Sequence, residues 1–275
     1  MTPPPLPPLL PASVGISNAP AGTPGPTSLG AVILAIGSLE VTALLRPGAW
    51  LKFGLFALGL IVVTKLSVPY GNEKMFSQWM VDVVALKIVP LLCLVVGGGV
   101  LRNQIRSFTI EYLWTRPARK AHLAIAAWCS TVSIVFAQAI VGTVVVHATG
   151  SFLGVENIWD GLPMLLITEF VVILAFSALS LALGVYSGKY MVFGLLYGLI
   201  VESGVSRIPT NLNLLSVTHH AEVLLSYRTE DIGTLGLMPL VQSLVGTVGI
   251  AAVGLAVAAA LFSFKQYSVG TEKES

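Results

Sequence analysis

The chain has 275 residues, 55% of them apolar and 10% charged, with 15 Lys+Arg against 13 Asp+Glu. Soluble domains average about 25% charged residues, and the mean hydropathy here is +0.86, which excludes an ordinary soluble domain and points to a bilayer. The net charge of +2 carries no signal for nucleic acid, because the cations fall where membrane topology would put them.

Residues 1–28 are dominated by Pro, Ala, Gly and Ser and hold no Lys or Arg. They lack the charged start and unbroken apolar run of a signal peptide, and are expected to be a disordered, partly polyproline cytoplasmic tail. Residues 29–47, LGAVILAIGSLEVTALLRP, are apolar but interrupted by Glu40 and Arg46 and closed by Pro47. That pattern suits a helix lying along the cytoplasmic interface; a poorly formed extra span is the alternative.

A span needs roughly 20 mostly apolar residues. Six stretches qualify: 49–66, 83–101, 123–147, 162–186, 190–205 and 235–264. The fifth is short, and the sixth is long and rich in Gly and Ala, which favours tilt or a kink. Arg46, Lys52, the 102–120 loop, Lys189, Lys265 and Lys273 then fall on one side. Glu73, Asp82, Glu156, Asp160, Glu222, Glu230 and Asp231 fall on the other, against only Lys74, Arg207 and Arg228. Lys and Arg are retained on the cytoplasmic side, so six spans with both termini cytoplasmic are expected, in a cell membrane. Cys93 and Cys129 lie within spans, where isolated cysteines behave as small apolar residues and offer neither a disulfide framework nor a metal site.

The loop 102–120, RNQIRSFTIEYLWTRPARK, contains Arg102, Arg106, Arg116, Arg119 and Lys120. Within it Ile105, Phe108, Thr109, Tyr112 and Leu113 recur at the spacing of one helix face. Arg116-Pro117 stops that helix, since the residue before a proline is driven out of the α region. The apolar face can enter a cleft on a cytoplasmic partner, with Arg106, Glu111 and Arg116 as polar rim. The alternative is a helix lying on lipid headgroups through Tyr112, Trp114 and its arginines. There is no G-x-x-x-x-G-K-[ST] loop, so energy for any transport would come from another chain. Gly97-Gly98-Gly99, at a span end, reads as a close helix-packing device.

Together these residues resemble the permease subunits of type-2 ABC transporters, mostly exporters. Glu40 and Arg46 match that family's interfacial elbow helix. Thr109-Ile110, Leu113 and Arg116-Pro117, followed by Arg119 or Lys120, match its cytoplasmic coupling signature between spans 2 and 3. Leu179-x-Leu181-x-Leu183-Gly184, Val192-Phe193-Gly194-Leu195-Leu196-Tyr197 and Glu202 are similar to its spans 4 and 5. Phe108 stands where the family has Gly, which allows a divergent half of a heterodimer.

The resemblance implies an all-α membrane protein of six transmembrane helices, with a permease domain over 29–267 and a cytoplasmic tail over 268–275. It further implies a second permease subunit, as homodimer or heterodimer, and a separate cytoplasmic ATPase that binds ATP and Mg. On that reading the chain is not itself an enzyme. Its ATPase-coupling residues are Ile105, Arg106, Phe108, Thr109, Glu111, Tyr112, Leu113, Arg116 and Pro117.

Ionisable groups inside the bilayer are costly unless paired or wet. Lys87, Glu169 and Glu202 are therefore expected on an intramembrane polar or substrate path, with a Lys87–Glu169 pair as the specific expectation. The outer loop 206–234 carries His219, His220 and Glu222. These raise an integral membrane enzyme or metal site as one alternative, although their spacing is not H-E-x-x-H. A force-transmitting ABC subunit that passes no substrate is the other.

Overall fold

The computed structural model describes residues 29–30, 32–34, 37, 47–106, 120–204, 211–226 and 236–264. Every regular element among them is helical. The elements are α1 (Pro47–Ser67), α2 (Glu73–Trp79), a π-helix (Met80–Ile88), α3 (Val89–Arg106), α4 (Lys120–Phe152), α5 (Leu162–Tyr186), α6 (Tyr190–Tyr197), a second π-helix (Gly198–Glu202), a 3-10 turn (Asn211–Leu215), α7 (Val217–Ser226) and α8 (Leu237–Phe264).

Among the described residues four rods have the length and composition to cross a membrane: Glu73–Val100, Ala121–Phe152, Leu162–Tyr186 and Leu237–Phe264. Gly54–Ser67 and Tyr190–Glu202 are shorter apolar helices. The expected stretch at 162–186 coincides with α5, whereas the rod expected at 83–101 starts ten residues earlier, at Glu73. The reason is local. The Asn72 side chain accepts a hydrogen bond from the Met75 amide at 2.9 Å, Gly71 turns the chain with φ 68°, and Glu73 sits in the first turn. An Asn cap followed by an acidic residue stabilises a helix start, so charges that look like loop are the helix's own first turn.

The π-helix inside this rod has a cause in the sequence. Pro90 has no N–H to return to the Leu86 carbonyl, and its ring crowds that carbonyl. The preceding turns widen to five-residue spacing, with the Val89 amide bonded to the Val84 carbonyl.

α5 is the central helix. It packs most extensively on α8 and α3, and also on α4, α6 and α7, while α1 packs on α4. Buried apolar side chains form a column through the bundle. Phe76, Trp79, Met80, Val146 and Leu165 lie at the end where α2 starts and α4 finishes, and Val89, Val135, Ile173 and Phe176 fill the middle. Leu123, Leu181, Val185 and Phe262 lie at the opposite end, where Val32, within the helical residues 32–34, joins them.

The glycine run acts as the sequence suggests. A Cβ on Gly184 would strike the Gly98 backbone carbonyl and come within 2.8 Å of the Gly98 Cα. A Cβ on Gly97 would meet the Ser180 hydroxyl. Apolar helices in lipid gain no hydrophobic drive from each other, so close backbone approach at small residues holds them together. Here it fixes α3 against α5.

Candidate functional site

The buried polar groups at the α7 end of the bundle form two clusters. The first joins α4 to α5. Glu169, on α5, is fully buried, and its Oε1 accepts a hydrogen bond from the Thr143 hydroxyl of α4 at 2.7 Å. Its Oε2 has no hydrogen-bond partner. Thr143 differs from the other buried threonines. Thr64, Thr131, Thr149, Thr168 and Thr247 each return the hydroxyl to the carbonyl four residues back in their own helix, whereas Thr143 donates across the helix interface. One turn along α4, the His147 Nδ1–H donates to the Thr143 carbonyl at 2.8 Å, and a carbonyl can only accept, so that nitrogen carries the proton. The buried His147 ring stands edge-on to Phe76, at 5.6 Å between centroids, and lies 5.3 Å from the Trp159 ring.

The second cluster is built on the second π-helix. Its wider turn, with the Ser203 amide bonded to the Gly198 carbonyl at 3.1 Å, brings Glu202 to the start of α7. Glu202 Oε2 accepts from the Ser216 hydroxyl at 2.7 Å and from the Thr218 amide at 2.8 Å, and Oε1 accepts from the Val217 amide at 3.3 Å. Ser216 in turn caps the helix by accepting from the His219 amide at 3.2 Å. The first amides of a helix have no partner within it and carry partial positive charge. A buried carboxylate supplied from another element satisfies both demands. Glu202 is therefore an anchor that pins α7 beside α5 and α8.

His220 completes the docking of α7. Its Nε2–H donates to the Leu214 carbonyl at 2.9 Å, and its ring occupies space left by Gly246 of α8, where a Cβ would lie 2.5 Å from it. Its neighbour His219 is only partly buried, with ring centroids 5.7 Å apart and planes at 56°, and Glu222 is exposed.

Lys87 is exposed on the first π-helix, and the expected Lys87–Glu169 pair is not formed; Glu169 takes its hydrogen bond from Thr143 instead. That expectation rests on the two residues lying at similar depths in their spans, and depth does not decide which helix face a residue occupies; the π-helix widens the turn that carries position 87. Glu169 and Glu202 are both buried, but each belongs to its own cluster. Thr143 and Ser216 are the partners that sequence reasoning missed. Thr143 and His147 share one face of α4 at i, i+4, and Ser216 directly precedes a helical stretch, so both left a signal. Of the coupling residues, Ile105 and Arg106 belong to the last turn of α3. Phe108, Thr109, Glu111, Tyr112, Leu113, Arg116 and Pro117, together with Glu40 and Arg46 of the elbow, lie outside the described residues.

No known protein-family model matches the chain, and no curated protein matches it.

Proposed function

We propose that this chain is the six-span permease subunit of an ATP-driven ABC transporter, an exporter, that works beside a second permease subunit. It couples ATP hydrolysis by a separate cytoplasmic subunit to movement of a substrate across the cell membrane. The observation that carries this reading is the segment joining α3 to α4. Two long apolar rods end and resume at Arg106 and Lys120, and the chain between them holds the apolar stripe Phe108, Tyr112 and Leu113 with Thr109-Ile110 and Arg116-Pro117. A short cationic helix at that place has the chemistry to seat in a cleft of an ATPase and to be pushed when the cleft closes.

Two further features support the reading. Val32 of the segment preceding α1 packs against the end of the bundle from which that loop emerges, as an interfacial elbow would. A short helix, α7, lies between the last two apolar helices and packs on α5 and α8, which suits a re-entrant element on the outer side. Lys87, Glu169 and Glu202 are the polar groups nearest any substrate path, with Glu202 holding α7 in place. His220 is committed to the Leu214 carbonyl and packed against α8, which favours a structural role over an enzyme centre at His219, His220 and Glu222.

The test is affinity purification of the full chain in nanodiscs, with mass spectrometry of what accompanies it, beside a Tyr112→Ala, Leu113→Ala variant. An ATP-binding subunit recovered with the wild type and lost with the variant is expected. A well-folded wild type that brings no nucleotide-binding subunit would contradict the proposal.

A further inference from the structure

Two carboxyl groups lie buried at the same end of the bundle, and their surroundings differ in kind. Glu202 accepts from two backbone amides and the Ser216 hydroxyl on its two oxygens, and it also meets the Tyr197 hydroxyl. Glu169 faces one donor, the Thr143 hydroxyl on Oε1, and its Oε2 is buried with no partner.

The charges on the elements packed around α5 do not reach Glu169. On the π-helix and α2 side, Asp82 and Lys87 are exposed. On α3, Cys93 accepts from Ser177. On α4, His147 gives its Nδ1–H to the Thr143 carbonyl, and Cys129 and His122 lie about four and about six turns from Thr143 along the helix. The second π-helix contributes Glu202, bonded to α7, and α6 contributes Tyr190 and Tyr197. On α7, His220 bonds the Leu214 carbonyl, His219 is half-buried and Glu222 exposed. α8 carries no titratable side chain.

We infer that Glu169 is a proton-binding site: its carboxyl group holds a proton on Oε2 and accepts the Thr143 hydroxyl on Oε1. An ionised carboxylate here would be a buried charge with one hydrogen bond and no counter-charge, inside a rod long and apolar enough to lie in a bilayer. A neutral acid leaves only one O–H without an acceptor, and an unmade hydrogen bond costs far less than an uncompensated buried charge. The ligand of the site is the proton, and the inference holds whether or not the chain is a transporter.

Infrared spectroscopy of the full chain in nanodiscs at neutral pH reads the site directly. A protonated carboxyl absorbs above the amide band, whereas an ionised carboxylate does not. The wild type should show that absorption, Glu169→Gln should lose it, and Glu202→Gln should keep it. Thr143→Val, which removes the hydrogen bond but keeps the acid, should keep the band and move it to higher frequency. That arm stands if Glu169→Gln fails to fold. A wild-type spectrum without the band, or a band unmoved in Thr143→Val and unchanged in Glu169→Gln, would overturn the inference.

Discussion

Glu202 shows how one side chain can position a whole element. Three donors at the start of α7 converge on its two oxygens, and each would be left buried without it. Leaving a buried donor unsatisfied costs about 1–3 kcal/mol, and the attraction of a carboxylate to a helix N-terminus adds up to ~2 kcal/mol in partly buried geometry. Glu202→Ala is therefore expected to destabilise the docking of α7 by a few kcal/mol, and Glu202→Gln, which keeps one acceptor oxygen, by less. Hydrogen exchange of peptides covering 217–226 measures this: protection should fall in the order wild type, Gln, Ala. Equal protection in all three would mean that α7 is held by its apolar contacts alone. At the same scale the sequence allowed Glu202 and Glu169 to be singled out, because charge inside an apolar run is visible in one dimension. Thr143 and Ser216 each left a signal of their own, but the pairing was not legible, since Thr143 lies 26 residues before Glu169 and Ser216 lies 14 after Glu202, and only the packing of helices decides which face meets which.

Among the elements, α3 and α5 meet at the closest approach, where Gly98 and Gly184 stand backbone to backbone. No flexible side chain can yield there. Gly184→Ala should force the two helices apart, at an overpacking cost of at least about 1–3 kcal/mol, and should lower the melting temperature and yield of the purified protein. Gly249→Ala is the control. It lies in α8 with nothing within 4 Å of an added Cβ, and alanine is the better helix former by up to about 1 kcal/mol, so it should be neutral or slightly stabilising. If the two variants melt alike, the close approach does not hold the bundle together. The glycine run was readable as a packing device because three small residues at a helix end have few other uses in a membrane. That its counterpart would be Gly184 was not readable. Likewise, hydropathy located α5 to the residue but placed the start of the Glu73–Val100 rod ten residues late, because hydropathy does not register an Asn cap. The π-helix before Pro90 had a signal, a proline inside an apolar run, whose consequence was a wider turn rather than an end.

For the whole molecule, burial is unevenly shared. Two-thirds of the most apolar window of α5 is buried, 67%, against 22% for α8, and α8, α6 and α1 expose Val245, Val253, Leu195, Leu196, Leu55 and Leu58. Apolar residues outside and hydroxyls, carboxyls and histidines inside is the arrangement that a hydrocarbon solvent demands. Among the described residues it leaves little polar machinery beyond the two clusters, and the sequence has no G-x-x-x-x-G-K-[ST] loop. On the proposed function, work by such a bundle is driven through the loop between α3 and α4. The most direct measurement is ATP hydrolysis by the purified assembly in nanodiscs, with and without Tyr112→Ala and Leu113→Ala in this chain. ATPase activity that travels with the wild-type chain and is lost with the double variant is expected, while the variant's own melting temperature is unchanged. Undiminished ATP hydrolysis in the variant, or none with the wild type, would contradict it.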